Sequence, residues 1–244
     1  MKSTLLVGME EFMILRDARV DDLPILLSIF DEAFREDAHT QLQIAWRGRD
    51  SMLDGMAIAL RHWHSDPKYH LIVAEGLPTG TTLGWACWSL GREASSANQP
   101  QRDAPDPVSE SSIDALNEIT SGDIARCQRE VLRPGDKVCI LVSVAVSPQA
   151  QKHGVGRLLV GWGTDYADAH DQRSWVHASE VGSRAFERLG FRRHRELRID
   201  LDRYSPPQSE RQWGPAIFRS MVRPPVQAVL DSHQRPANTP ESSS

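Results

Sequence analysis

The residues best placed to do chemistry lie in "VSVAVSPQAQKHGVGRLLVGWG", residues 142–163. An apolar, β-rich run stops at Pro148. A polar loop follows with two glycines two apart, Gly154 and Gly156, and from Arg157 apolar residues recur at helical spacing. The first turn of a helix has backbone N–H groups without intrahelical acceptors and sits at the positive end of the helix dipole. Glycines let that backbone approach a ligand closely. Strand, glycine loop and helix start therefore make an anion site suited to phosphates, and Lys152, His153 and Arg157 add side-chain charge. A Walker A loop, GxxxxGK[ST], is absent. The dinucleotide fingerprint GxGxxG fails because Leu159 stands at the third glycine, and the loop lies late in the chain rather than after a first strand.

Other reactive types are scattered. His177, Glu75 and Glu180 are candidate proton acceptors on or beside strands. His177 also reads as a plain strand histidine. In "HWH", His62 and His64 are two apart and cannot share a helix face, so no metal site is expected there. Cys87, Cys127 and Cys139 are far apart without a CxxC. That speaks against a disulfide framework or a zinc site and for a reducing, cytoplasmic home. Cys139 reads as a small core residue. Trp85 and Trp88, three apart on a strand, face opposite sides, one in the core and one covering or lining an acceptor site. Arg192, Arg193, Arg195 and Arg198 read as a solvated strand face, and Trp162 with Tyr166 as helix packing.

These residues need a scaffold. "FMILRDA" supplies a strand at 12–16. Asp21 caps a helix whose apolar face is Leu23, Leu26, Leu27, Phe30 and Phe34, with Pro24 tolerated in the first turn. Residues 35–50 read as a polar stretch, and 51–64 as a helix with Met52, Met56, Ala59, Leu60 and Trp63 inward. Strands at 69–75 and 82–90 flank a Gly/Pro turn and form a hairpin. Residues 91–107 read as a flexible loop, and 112–132 as helical with a break at Ser121-Gly122. The apolar run 137–146 is a central strand covered on both faces. A strand at 174–179, a short helix ending at Gly190, and strands at 193–201 and 216–223 complete the order. The fold class is α/β: a mixed, mostly antiparallel sheet flanked by helices. Residues 1–9 form a tail, 10–224 one domain with an insert at 91–136, and 225–244 a disordered tail.

The chain of 244 residues is ample for a core. Its net charge of −5 argues against nucleic acid as a partner, and no apolar run is long enough to span a bilayer. The start of the chain is a poor signal peptide.

Three segments carry a resemblance. Gln151, Gly154 and Gly156 match [Gln/Arg]-x-x-Gly-x-[Gly/Ala]; "AFERLGF" (185–191) is similar to a Leu-Tyr-x-x-x-Gly-Phe run after the next strand; "LGWACW" (83–88) looks like a GWAxW strand common in fungal members. Over residues 12–224 the chain resembles the GCN5-related N-acetyltransferase (GNAT) superfamily. The resemblance implies splayed central strands that admit the pantetheine arm of acetyl-CoA. It implies that Val144 and Val146 bond that arm, that a backbone N–H near Ala145 polarises the thioester carbonyl, and that Gln151, Lys152, His153, Gly154, Val155, Gly156 and Arg157 hold the pyrophosphate. Ser179 falls where many members place an Asn that touches the pantetheine. Phe186 stands where a Tyr often protonates the leaving thiolate; water or Ser183 would have to substitute. Members often carry a Glu as base on the core strands. No acid lies within 137–146, which leaves His177, Glu75 or Glu180. The implied activity is transfer of acetyl from acetyl-CoA to an amine, of a small molecule in the first place, with a protein acceptor, O-acetylation or another acyl group left open. The insert and residues 35–50 would shape the acceptor side. The competing reading is a non-catalytic acyl-CoA-binding module, which Phe186 and the missing strand acid favour.

Overall fold

The computed structural model describes residues 13–93, 112–131 and 135–226. The expected tail 1–9, and most of the expected loop 91–107 and tail 225–244, lie outside the described residues.

Seven strands form one sheet: β1 (Met13–Asp17), β2 (Tyr69–Gly76), β3 (Thr81–Glu93), β4 (Lys137–Val146), β5 (Arg173–Ser179), β6 (Arg192–Asp200) and β7 (Pro215–Arg223). Their order is β1-β2-β3-β4-β5-β7-β6, and only β4 and β5 pair in parallel. The helices are α1 (Leu23–Ala33), α2 (Ala38–Arg47), α3 (Arg49–Ser65), α4 (Ile113–Val131), α5 (Val155–Ala169) and α6 (Glu180–Arg188). The mixed, mostly antiparallel sheet between helices is the fold class read from the sequence. No described helix is long and apolar enough to cross a membrane.

One face of the sheet packs on α5 and α6 through Ile72, Ala74, Ala86, Trp88, Cys139, Leu141, Val176 and Phe186. The other packs on α1 and α3 around Trp85, Leu71 and Val73, and further along on α4 around Ile140 and Trp175. Trp85 and Trp88 do face opposite sides, and both are fully buried. Trp85 Nε1 donates to Leu26 O and Trp88 Nε1 to Leu159 O, so neither indole lines an acceptor site. Trp88 lies flat against α5, where a Cβ on Gly163 would sit 2.2 Å from its ring.

Four elements differ from expectation. The polar stretch 35–50 contains α2, capped by Asp37, whose carboxylate accepts from Thr40 N. Its buried side chain, Leu42, joins Ile113, Leu116, Leu201 and Trp213 in a separate small core. Helix α4 runs unbroken through Ser121-Gly122, because Gly122 lies on an open surface where a side chain would meet nothing. Strand β3 continues through Leu90 to Glu93. The helix α1 also starts differently: Asp21 belongs to a 3-10 turn, and Asp22 bonds Arg19 N and Arg16 rather than capping α1.

Strand β4 carries a bulge. Cys87 pairs with Ser143 but Trp88 with Leu141, leaving Val142 extra. Before it, Cys139 and Leu141 face α5. After it, Val144 and Val146 do, and Ala145 faces α1. One added residue thus reverses the alternation of the strand.

Candidate active site

Strands β4 and β5 pair only from Val138–Arg173 to Leu141–Val176. Beyond that rung β4 continues to Val146 beside β3, and β5 to Ser179 beside β7. The sheet therefore opens into a cleft between the two strands, as the resemblance implied.

The register shows which backbone groups face the cleft. Ser147 N donates to Leu83 O at 2.9 Å. Bonded and non-bonded pairs alternate along an antiparallel ladder, so Trp85–Ala145, two rungs away, is again a bonded pair. Ala145 thus turns its N–H and C=O toward β3. Its carbonyl lies 2.8 Å from where a Gly84 Cβ would stand, which also keeps Gly84 a glycine. Val144 and Val146 turn theirs toward the cleft, and Gln151 Nε2 donates across to Val146 O at 3.2 Å. The expected carbonyl-polarising N–H at Ala145 is therefore corrected: Ala145 is held in the ladder, and the N–H groups that face the cleft are those of Val144 and Val146.

The glycine loop sits below this edge. Lys152 and Gly154 both have positive φ, 66° and 88°, a region glycine adopts freely and lysine rarely. Gly154 leads directly into α5, so the turn delivers Val155, Gly156 and Arg157 as the helix's first three residues. Val155 is buried against Gly84. At Gly156 a Cβ would meet only Val146 Cγ2 at 3.8 Å. Packing does not demand glycine there, but a ligand lying against the helix start would. The loop, the helix dipole and the open β4 edge together fit a phosphate-bearing acyl carrier of the coenzyme A kind.

The other predicted residues divide. Ser179 ends β5 at the cleft, but its Oγ accepts from Gly182 N and caps α6. Phe186 is buried and packs edge-to-face on Phe191, with ring centroids 5.5 Å apart. Phe191 N donates to Phe186 O and Gly190 N to Glu187 O, the two bonds of a Schellman cap. Phe186 is thus a core residue. Ser183 cannot replace a tyrosine as proton donor, since its Oγ donates to Glu180 O and accepts from Arg219 Nη1. Glu75 is held by Arg16 Nε at 2.6 Å, two strands from the cleft, and drops out as a base. Glu180 pairs with Arg219 at 3.3 Å.

His177 is the first residue of β5 beyond the last β4 rung. Its side chain points to the α4 face, stacked on Phe218 at 5.3 Å and near Trp175 at 6.4 Å. Its Nε2 is buried without a hydrogen-bond partner, and Asp123 Oδ2 on α4 stands 3.8 Å away. Burial pulls the imidazole pKa below its ordinary 6.5, against the pull of Asp123 and aided by His39. The ring is therefore neutral, and able to accept a proton, at pH 7.

Sequence reading missed Asp123, His39 and Phe218. Asp123 had a visible signal. It sits on the apolar stripe Ile113, Leu116, Asp123, Cys127, Val131, where a carboxylate is out of place. Its Oδ1 accepts from Arg195 Nε at 3.0 Å, so Arg195 is not merely a solvated strand cation. His39 lies on α2, which was not recognised as a helix, and its ring meets Phe218 edge-on at 5.3 Å. Gln43 Nε2 donates to Asn117 Oδ1 at 2.6 Å and Arg47 pairs with Asp114. Helices α2 and α4 thereby join over this face, where the variable segments were expected to shape the acceptor side.

Residues 26–191 match the family model described as Acetyltransferase (GNAT) family. No curated protein matches the chain. Among solved structures, the chain is similar to a mosquito arylalkylamine N-acetyltransferase like 5b, with 20% identity, 87% of this chain and 99% of that one covered, and a TM-score of 0.56. It is also similar to a structure described as histone acetyltransferase HPA2 and related acetyltransferase from Corynebacterium glutamicum, with 16% identity, 88% and 97% coverage, and a TM-score of 0.54. At these identities the structural likeness concerns the fold. The family match covers most of the chain, joins the strand opening to the glycine loop below it, and places the protein in the GNAT family of acetyltransferases.

Proposed function

We propose that the protein is an acetyl-CoA-dependent N-acetyltransferase whose acceptor is a small amine. The observation that carries this is the β4 edge at Val144 and Val146, which leaves its ladder to β5 directly above the Gln151–Gly156 loop. The loop backbone and helix start would hold the pyrophosphate, with Lys152, His153 and Arg157 adding charge. Val146 would bond the pantetheine arm, and Val144 N–H would polarise the thioester carbonyl by a fixed dipole. An uncharged amine then attacks. The C–N bond forms, the C–S bond breaks with its electron pair on sulfur, and the amine proton leaves to a base, for which His177 is the candidate. A thiol has an ordinary pKa of about 8.5, so the thiolate departs without the hydroxyl that Phe186 lacks. The three buried free cysteines fit a reducing compartment such as the cytoplasm. "LGWACW" alone supports a fungal-type subgroup.

Phe186 and the engaged Ser183 also favour a second reading, a non-catalytic acyl-CoA-binding module. Calorimetry with acetyl-CoA, followed by free-thiol release with a set of amines, separates the two. Binding with amine-dependent release supports the transferase. Binding with no release from any amine supports the module. Absence of binding overturns both.

A further inference from the structure

Three buried side-chain polar atoms among the described residues have no hydrogen-bond partner: His39 Nε2, His177 Nε2 and Ser174 Oγ. Buried polar groups are almost always bonded, and an orphan asks for an explanation. Two of the three are imidazole nitrogens whose rings both meet one residue. Phe218 stacks on His177 and meets His39 edge-on, each at 5.3 Å. The two histidines come from remote elements, α2 and β5, and meet where β5 has just left β4. That is the α4-side mouth of the cleft.

The surroundings are equally specific. His177 faces Asp123 and, through it, Cys127 on α4 and Arg195 on β6; Trp175 on its own strand; Phe218 and Ser220 on β7; and His39 on α2. Asp123 beside His177 is paired with Arg195, which also reaches Glu130, and Asp37 at the start of α2 acts on His39 while its carboxylate accepts from Thr40 N and Oγ1.

Building on the acetyltransferase reading, we propose that His39 and His177 together form the acceptor site, and that the site takes small amines uncharged at neutral pH in preference to ammonium ions. An ammonium entering here would lose its water shell to two neutral imidazoles, with Asp123 already held by Arg195 and Asp37 by Thr40. It would also lie near a guanidinium. A neutral amine satisfies both orphaned nitrogens. One N–H reaches His177 while a second polar contact is made with His39, tautomers permitting either direction. In transfer, the amine nitrogen bonds the acetyl carbon, its proton passes to His177, and sulfur takes the C–S pair. His177 then returns the proton to the thiolate or to water. Asp123 is a positioning residue. Its Oδ2 stands 3.8 Å from the same Nε2 and so favours the imidazolium that forms at that nitrogen. Both histidine pKa values lie below the ordinary 6.5, mainly through burial. Such a base suits weakly basic amines, whose own proton is easily lost, better than alkylammonium ions.

Aniline and benzylamine test this, because both are aromatic and differ chiefly in charge at pH 7. In the full chain, aniline should shift the ring C–H signals of His39 and His177 saturably in NMR, with assignments from His39→Gln and His177→Gln. Benzylamine should bind about tenfold more weakly or worse. With acetyl-CoA, thiol release should favour aniline in kcat/KM. His177→Gln should lower kcat by about a hundredfold, and His39→Gln should raise KM for aniline but leave KM for acetyl-CoA unchanged. Asp123→Asn should lower kcat and move the acid limb of the pH profile, which a merely structural residue would not. Equal or better use of benzylamine, or the absence of any shift of either imidazole, overturns the proposal. Aniline binding at the histidines without acetyl-CoA binding would sink the transferase reading and leave the amine site standing. Acetyl transfer confined to benzylamine would do the reverse.

Discussion

Gly154 and Gly156 sit two apart and serve different ends. Gly154 supplies a left-handed turn at φ 88°. Gly156 has an ordinary backbone and room for a methyl group, so its lack of a side chain matters only to something outside the fold. Gly156→Glu should therefore fold normally and lose acetyl-CoA affinity, through bulk and negative charge at an anion site. Gly154→Glu should lose affinity as well and also some stability, by about 1 kcal/mol for a side chain in the left-handed region. Calorimetry with acetyl-CoA and a thermal melt check both, and normal affinity in either variant would remove the phosphate role of the loop. At this scale the loop was legible in the sequence because its chemistry is local: spacing, glycine and charge lie within six residues. His39, Asp123 and Phe218 were not, since each finds its partners on a distant element and periodicity reports only neighbours. Ala145 was expected to turn its N–H to the cleft and turns it to β3, because which side a peptide group faces is set by pairing with β3, not by its own sequence.

Among the elements, β4 was read with both ends correct, since a run of β-branched residues between Gly135-Asp136 and Pro148 leaves little choice. Helix α2 was hidden because only Leu42 of its ten residues is buried and its apolar stripe, Ala38, Leu42 and Trp46, is one residue wide. Helix α4 was split on paper by Gly122, yet an exposed mid-helix glycine costs only about 1 kcal/mol relative to alanine, which packing of the stripe on β6 and β7 overcomes. Glycine inside α5 is the opposite case. Gly163→Ala would drive a methyl group into the ring of Trp88, which is pinned by its bond to Leu159 O. A loss of about 1–3 kcal/mol, or more if the indole cannot move, is expected from urea unfolding. Gly161→Ala on the same helix meets nothing and serves as the control. Equal effects of the two would show that the Trp88 contact does not limit packing.

For the molecule as a whole, acid stability follows from its buried imidazoles. His39 and His177 have folded pKa values below 6.5, so below pH 6.5 the unfolded chain binds more protons than the native one. Their contribution to stability is complete above pH 6.5 and is lost as pH falls through the folded values. Each can add up to about 1.4 kcal/mol per pH unit to the slope. Asp22 and Asp168, depressed by Arg16 and Arg223, act in a separate window below 3.8. Urea midpoints from pH 7.5 to 5 should therefore fall, and His39→Gln with His177→Gln should flatten that fall. An unaltered slope would mean the two rings are not titrating out of a buried state.

The bulge at Val142 has a consequence for how this protein can change. Because one residue reverses the alternation of β4, the facing of Val144 and Val146 depends on a count as well as on side chains. Ala145 is buried on the α1 side and resists enlargement, whereas the exposed extra residue Val142 can vary in composition. Deleting Val142 alone would make Trp88–Leu141 and Cys87–Ser143 successive rungs, so Val144 and Val146 would keep their face, whereas inserting one residue after Ser143 would turn both to the α1 side and their peptide groups into the β3 ladder. Calorimetry with acetyl-CoA should then separate the two changes: affinity kept in the deletion and lost in the insertion.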